Sequence, residues 1–285
     1  MIKRVKYYFS LKLIIFYRFI ERKSYAYCYD FPLGKKSKAS KNTYLNLARE
    51  VQQFKYREID KFEVKLGYAI DTLWFDELAL HTQVVIKNST LCYAHGRVLY
   101  AVLSHYIKRH QSSYPASRLT IVETGTARGF STLCMAKALQ DRNQSAVIVT
   151  FDIIPHQTKM YWNCIDDCDG PRTRAELLKP WKELLQEYVI FHQGDTTVEL
   201  PKVKVERINF AFLDGVHTYK AVMFEFEQVR DYQAFGDIII YDDYNPSQYP
   251  GLVRAVDEIC KLHNYKCTNI KAHDGRGYMI AVKGR

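Results

Sequence analysis

Apolar positions in the C-terminal two thirds of the chain follow two rhythms. Short runs rich in β-branched and aromatic residues lie at 119–123, 146–151, 188–192, 208–213, 237–241, 265–271 and 278–282. Each has the length of a buried or half-buried strand. Between them, 131–139, 174–185, 219–232 and 252–262 read as helices. In the third of these, Val222, Phe226 and Val229 form the apolar stripe. Strands and helices in alternation predict a doubly wound α/β domain on one sheet. The last two runs adjoin without an intervening helix, so they are expected to be antiparallel.

Upstream, residues 43–110 read as mostly helical, with candidates at 45–54, around 73–85 and at 91–110. In the last, Leu99, Val102, Leu103 and Tyr106 align. The segment 31–42, FPLGKKSKASKN, has linker composition. The chain therefore divides into a basic N-terminal helix and linker at 1–42, a helical cap at 43–112 and the α/β domain at 113–285. In the first 23 residues the apolar run is broken by Lys12 and Arg18, and no small-residue cleavage site follows. That fits neither a signal peptide nor a bilayer span. A basic segment with Phe9, Leu13, Phe16 and Ile20 suits docking of residues 1–24 on an anionic membrane surface. It equally suits packing on its own domain or on a partner subunit, as in a homo-oligomer.

Charge changes this picture in one respect. The net charge of +10 resides upstream, where residues 1–110 hold 20 Lys and Arg against 9 Asp and Glu. The remainder is close to neutral, so a basic-surface argument concerns the N-terminal region and not the strand ends. Cys28, Cys92, Cys134, Cys164, Cys168, Cys260 and Cys267 are odd in number and irregular in spacing. Free thiols in a reducing, cytoplasmic compartment are the expectation. No paired CxxC supports zinc.

The chemistry lies at the strand ends. The run 208–213 stops at Asp214, and 237–241 stops at Asp242 and Asp243. Neighbouring parallel strands present their carboxyl ends on one edge, where ligands bind. Three carboxylates and His217 would converge there, at a cost unless something positive, most often a divalent metal, sits among them. Taken singly, each has an ordinary structural role: an Asp-Gly turn for Asp214, turn capping for Asp242 and Asp243, and helix capping or a core hydrogen bond for His217. At 122–132, VETGTARGFST ends a strand at Glu123, turns at Gly125 and allows close approach at Gly129. Ala127 and the lack of a third glycine separate it from the dinucleotide fingerprint. Glu123, two residues before the first glycine, suits an amino-bearing cofactor better than a pyrophosphate. Asp152, ending the next strand, is placed to accept hydrogen bonds from ribose hydroxyls.

ETGTARGFST, the strand end at Asp152, QGDT at 193–196, FLDGVHTY and IIIYDDY occur in one order on the expected elements. Together they resemble a class I S-adenosylmethionine-dependent methyltransferase. The closer resemblance is to metal-dependent sugar O-methyltransferases of the macrocin and mycinamicin type and of aminocoumarin biosynthesis, and to cephalosporin-hydroxylase-like proteins. It covers about 91–285 and implies a Rossmann-like seven-stranded sheet with an N-terminal helical extension. It also implies that Glu123, Thr124, Gly125, Gly129 and Ser131 hold the methionine part of the cofactor, Asp152 its ribose, and that Asp195 lies near its adenine. Asp214, Asp242 and Asp243 would bind Mg²⁺ or another divalent cation, with His217 as general base and Asp214 beside it. Ala127 departs from the glycine commoner in that loop.

The residue types fit such chemistry. A sugar hydroxyl ionises far above neutral pH, so transfer of a methyl to it calls for a base and a nearby positive charge. Tyr244, Asn245, Tyr249, Arg254, Arg172 and Arg174 are further candidates for acceptor contacts. His156, His192 and His273 have no partner pattern. Two other readings compete: a nucleic-acid methyltransferase, disfavoured because LDGV stands where an NPPY-type motif would, and a non-catalytic scaffold on the same fold.

Overall fold

The computed structural model describes residues 33–285 apart from 35, 114–116 and 273–274. The proposed membrane-docking segment at 1–24, Cys28 and His273 lie outside the described residues. Among the described residues, no helix is long and apolar enough to cross a membrane.

Seven strands form one sheet: β1 Leu119–Thr124, β2 Ala146–Asp152, β3 Val189–Gln193, β4 Phe210–Leu213, β5 Ile238–Tyr241, β6 Tyr265–Lys271 and β7 Gly277–Lys283. Their order is β3-β2-β1-β4-β5-β7-β6. The first five are parallel, and β7 runs antiparallel between β5 and β6. Register fixes the functional edge. Thr124 pairs with Phe151 on β2 and with Leu213 on β4, and Leu213 pairs with Tyr241 on β5. The next residues are Gly125, Asp152, Asp214 and Asp242, which therefore emerge side by side.

Alternation along the strands makes two cores. Ile121, Ile148, Phe210, Phe212 and Ile240 face one side. There they pack with α1 Lys41–Gln52, α2 Arg57–Leu66, α3 Thr72–Thr82, α4 His95–Ser113 and α5 Phe130–Asp141. Val122, Val149, Ala211, Leu213, Ile239 and Tyr241 face the other, against α9 Tyr219–Arg230 and α10 Pro250–Leu262. The helices of 41–113 thus share a core with one face of the sheet.

Two expectations require correction. The helix read at 174–185 is interrupted: α6 Arg174–Leu177 gives way to a tight turn at Lys179–Trp181, then α7 Lys182–Tyr188. Pro180 lacks the N–H that a continuous helix needs. The expectation of free thiols fails for one pair, because Cys260 and Cys267 form a disulfide joining α10 to β6. Asn264, at φ 58°, turns the chain between them. Cys92, Cys134 and Cys164 are buried free thiols, and Cys168 is an exposed one.

Candidate active site

The turn after β1 is held by its neighbours. Gly125 and Thr126 donate their N–H groups to Phe151 O at 2.9 and 3.2 Å. Gly125 adopts φ +85°, and a Cβ there would lie 2.2 Å from Asp214 O. The residue is glycine because the β1 turn and the β4 end touch backbone to backbone. Ala127 also has positive φ, 45°, at the position where the commoner loop carries glycine. Its N–H donates to Asp152 Oδ2 at 2.5 Å, which holds this disfavoured conformation.

Glu123 and Ser131 differ from expectation. Glu123 is fully buried, and its two carboxylate oxygens accept short hydrogen bonds from the Ser131 and Thr132 hydroxyls. Burial raises its pKa, opposed by those hydroxyls. With its oxygens used and no exposed surface, Glu123 fixes the start of α5 from behind and does not face a ligand.

Asp152 is more enclosed than a simple ribose acceptor. Oδ1 accepts from Ile154 N at 2.8 Å, and Oδ2 accepts from Ala127 N and from Arg174 Nη2 at 3.3 Å. Arg174 is itself only 1% exposed. It donates through Nε to Ala127 O at 2.8 Å and through Nη1 to His156 Nδ1. Burial pushes the Arg174 guanidinium down to about 10, against the pull of Asp152, and burial and Arg174 push His156 down to about 3. Asp195 is exposed and caps α8 Thr196–Glu199, accepting from Thr197 N and Oγ1 through Oδ1. Exposed Ile153 follows β2 and exposed Val198 lies on α8 after β3. Sequence reading singled out neither of these exposed apolar side chains.

At the acidic edge the groups form a chain. His217 Nε2 lies 3.1 Å from Asp214 Oδ1, and His217 Nδ1 lies 3.9 Å from Asp243 Oδ2. Asp243 Oδ1 pairs with Arg276 Nε at 2.9 Å. Asp242 Oδ1 accepts from Asp243 N at 2.6 Å, while its Oδ2 is 3.8 Å from His95 Nδ1. The Tyr249 ring stands edge-on to His217 at 4.5 Å. Burial, then the charge of Asp242, pushes the Asp214 carboxyl up to about 8, against the His217 hydrogen bond. For His217 burial alone would lower the pKa, but Asp214, Asp243 and Asp242 outweigh it and raise it. His95 is pushed down to about 3 by burial and by Arg276, so it is neutral at physiological pH.

The metal expectation is not met by this arrangement. Among the described residues, no group of three or more His, Cys, Asp or Glu side chains is arranged to hold a metal ion. Positive charge is instead supplied by Arg276, with Lys87 close enough to feel both Arg276 and Asp243. Arg276, Lys87 and His95 carried no sequence signal. Of the other candidates, Tyr249 reaches the site. Tyr244 donates to Asp257 Oδ1, Asn245 caps Ser247 and Gln248, Arg254 lies over Tyr219, and Arg172 pairs with Asp166 and Asp169.

Residues 122–244 match a family profile described as a methyltransferase domain. No curated protein matches the sequence. Among solved structures, a putative O-methyltransferase from Klebsiella pneumoniae gives a TM-score of 0.53 at 17% identity, covering 83% of this chain and 100% of its own. The O-methyltransferase NovP gives 0.52 at 17% identity, covering 75% of this chain and 99% of its own. TomG from Streptomyces achromogenes, an O-methyltransferase involved in tomaymycin synthesis and solved with S-adenosylmethionine, gives 0.51 at 14% identity, with coverage of 82% and 100%. At these identities the likeness is one of fold.

Proposed function

We propose that this chain, a class I S-adenosylmethionine-dependent methyltransferase by its domain and its fold, transfers the methyl group to a hydroxyl of a sugar or a glycosylated small molecule. The observation that carries the reading is the contact of Gly125 with the Asp214 backbone, which sets the loop after β1 against the strand end bearing the base. The crevice beside β1, where the strand order reverses, is where this fold class binds ligands. Gly125, Ala127 and Gly129 offer backbone to the cofactor, with Ile153, Val198 and Asp195 toward its adenosine. Asp152 would reach a ribose alongside Arg174. When bound, the cofactor supplies an electrophilic methyl on a sulfonium.

The chain supplies the base. Once ionised, Asp214 accepts Nε2–H of His217 and so orients the ring, leaving Nδ1 as the acceptor of a proton. Nδ1 is beyond hydrogen-bond distance of Asp243, so the hydroxyl of an acceptor can approach it. Tyr249 limits how the ring can turn. The sugar class rests on the resemblance of FLDGVHTY and IIIYDDY to the sugar-modifying enzymes. The raised pKa of His217 places the ascending, acid-side limb of the rate above 6.5, its ordinary value, with activity rising as pH increases through it.

Calorimetry of the full chain with S-adenosylmethionine tests the first part, and release of S-adenosylhomocysteine with free sugars, sugar nucleotides or RNA as acceptors tests the second. His217→Ala is expected to lower kcat about 10²–10⁴-fold with cofactor affinity unchanged. Absence of cofactor binding at millimolar ligand would return the chain to a scaffold role. Salt-dependent methylation of RNA would replace the sugar acceptor with a nucleic acid.

A further inference from the structure

The antiparallel seventh strand brings a residue from far along the chain into the acidic edge. Because β7 runs against β5, the start of β7 lies beside the carboxyl end of β5. Arg276 sits immediately before it. Its backbone is clamped: Ala272 N donates to Arg276 O at 2.8 Å, and Tyr244 N donates to the adjacent Gly277 O at 2.9 Å. A Cβ on Gly277 would lie 2.5 Å from Asn269 Oδ1 and 2.9 Å from Tyr244 O, so the approach leaves no slack. The guanidinium is held at two nitrogens, Nε on Asp243 Oδ1 at 2.9 Å and Nη1 on Cys92 O at 3.1 Å. Nη2 has no hydrogen-bond partner among the described residues. Two bonds to a planar group fix its orientation in a way that a lysine could not reproduce.

We infer that Arg276 is the built-in cation of this site, pairing with Asp243 where a divalent metal would otherwise neutralise the acidic edge, so that methyl transfer here needs no metal. The inference rests on the methyl-transfer reading above. A metal on Asp243 would have to displace a guanidinium already paired there and would also meet the charge of Lys87, which interacts with both Arg276 and Asp243. In the reaction, the acceptor oxygen gives its proton to His217 Nδ1 and forms a bond to the methyl carbon. The sulfur–methyl bond breaks, and the sulfonium becomes a neutral thioether. In this role the Arg276 charge would stabilise the negative charge developing on that oxygen.

The test is titration of Mn²⁺ into the full chain, with S-adenosylmethionine present, followed by the paramagnetic resonance signal of free Mn²⁺. The wild-type chain is expected to take up no stoichiometric Mn²⁺ below the millimolar range. Arg276→Met, which releases the carboxylates, is expected to tighten Mn²⁺ binding by at least about tenfold, since ligand charge sets affinity for hard cations. Arg276→Lys, which keeps a charge but not the two-point hold, should bind Mn²⁺ more weakly than Arg276→Met. One Mn²⁺ bound per wild-type chain at micromolar concentration and lost in Asp243→Asn would overturn the inference. So would an Arg276→Met chain, shown folded by its thermal transition, that binds no more Mn²⁺ than wild type. If Arg276→Met does not fold, the wild-type titration decides. Failure of the methyl-transfer reading would appear separately, as absent cofactor binding in calorimetry.

Discussion

Glu225 offers the most quantitative check on how the site is built. It lies on α9, 2% exposed, beneath the Asp-Gly turn that carries Asp214. Its Oε2 accepts from Thr124 Oγ1 at 3.1 Å, and the same hydroxyl oxygen accepts from Asp214 N at 3.1 Å. Its Oε1 has no hydrogen-bond partner among the described residues, and a Cβ on Gly215 would lie 2.6 Å from it. Burial pushes the carboxyl from 4.5 up to about 7, opposed by the Thr124 hydrogen bond and the neighbouring Thr196 hydroxyl. A raised carboxyl binds its proton more tightly in the folded chain than in the unfolded one. Its contribution is therefore most favourable below 4.5 and is lost as pH rises from there to about 7. At 1.36 kcal/mol per unit, the loss amounts to about 3 kcal/mol above that window.

Glu225→Gln keeps an oxygen for the Thr124 hydroxyl and removes the charge. Urea unfolding of both chains, followed by the fluorescence of Trp74, Trp162 and Trp181, should show the variant more stable by about 3 kcal/mol near pH 8. The gain should shrink to nearly nothing near pH 4.5, where both chains carry a neutral group. A gain independent of pH, or a variant less stable than wild type near pH 8, would refute the reasoning and make the ionised carboxylate a net stabiliser.

Two further substitutions probe the cofactor end. Gly125→Ala meets both a positive φ and the Asp214 carbonyl, so it should cost at least about 2 kcal/mol of stability and weaken S-adenosylmethionine binding; unchanged melting and affinity would remove the backbone contact from the account. Arg174→Met leaves the Asp152 carboxylate buried without its ion pair and should cost about 3–5 kcal/mol. Adding Asp152→Asn to that variant should restore part of the loss in a double-mutant cycle, whereas simple additivity of the two effects would show that the pair is not coupled.

The elements that sequence made legible are those governed by short-range periodicity. Short apolar runs marked the seven strands, and their ends marked Asp214 and Asp242 as neighbours, which the parallel register of β4 and β5 bears out. What stayed hidden depended on which partner uses each lone pair. Glu123 and Asp152 look alike as strand-terminal acids. Yet one is closed off by hydroxyls of its own helix, and the other is shared with an arginine from a distant loop. Arg276 lies more than thirty positions after Asp243 in the chain, and only the antiparallel insertion of β7 brings the two together. Cys260 and Cys267 were missed for a similar reason: the αL turn at Asn264 that joins them has no signature stronger than one asparagine.

Thr124 shows why the two halves of the site act as one. Its backbone pairs with β2 on one side and β4 on the other, and its hydroxyl connects Glu225 to the amide of Asp214. One residue later, the missing side chain of Gly125 lets the cofactor turn rest on Asp214 O. A shift of the turn after β1 therefore moves the group that orients His217, and a shift of α9 reaches the same group through Glu225. In the proposed reading, cofactor binding and proton transfer would be tied through Thr124 and Gly125, two consecutive residues. Substitutions at either are thus expected to alter cofactor affinity and the pH dependence of the rate together.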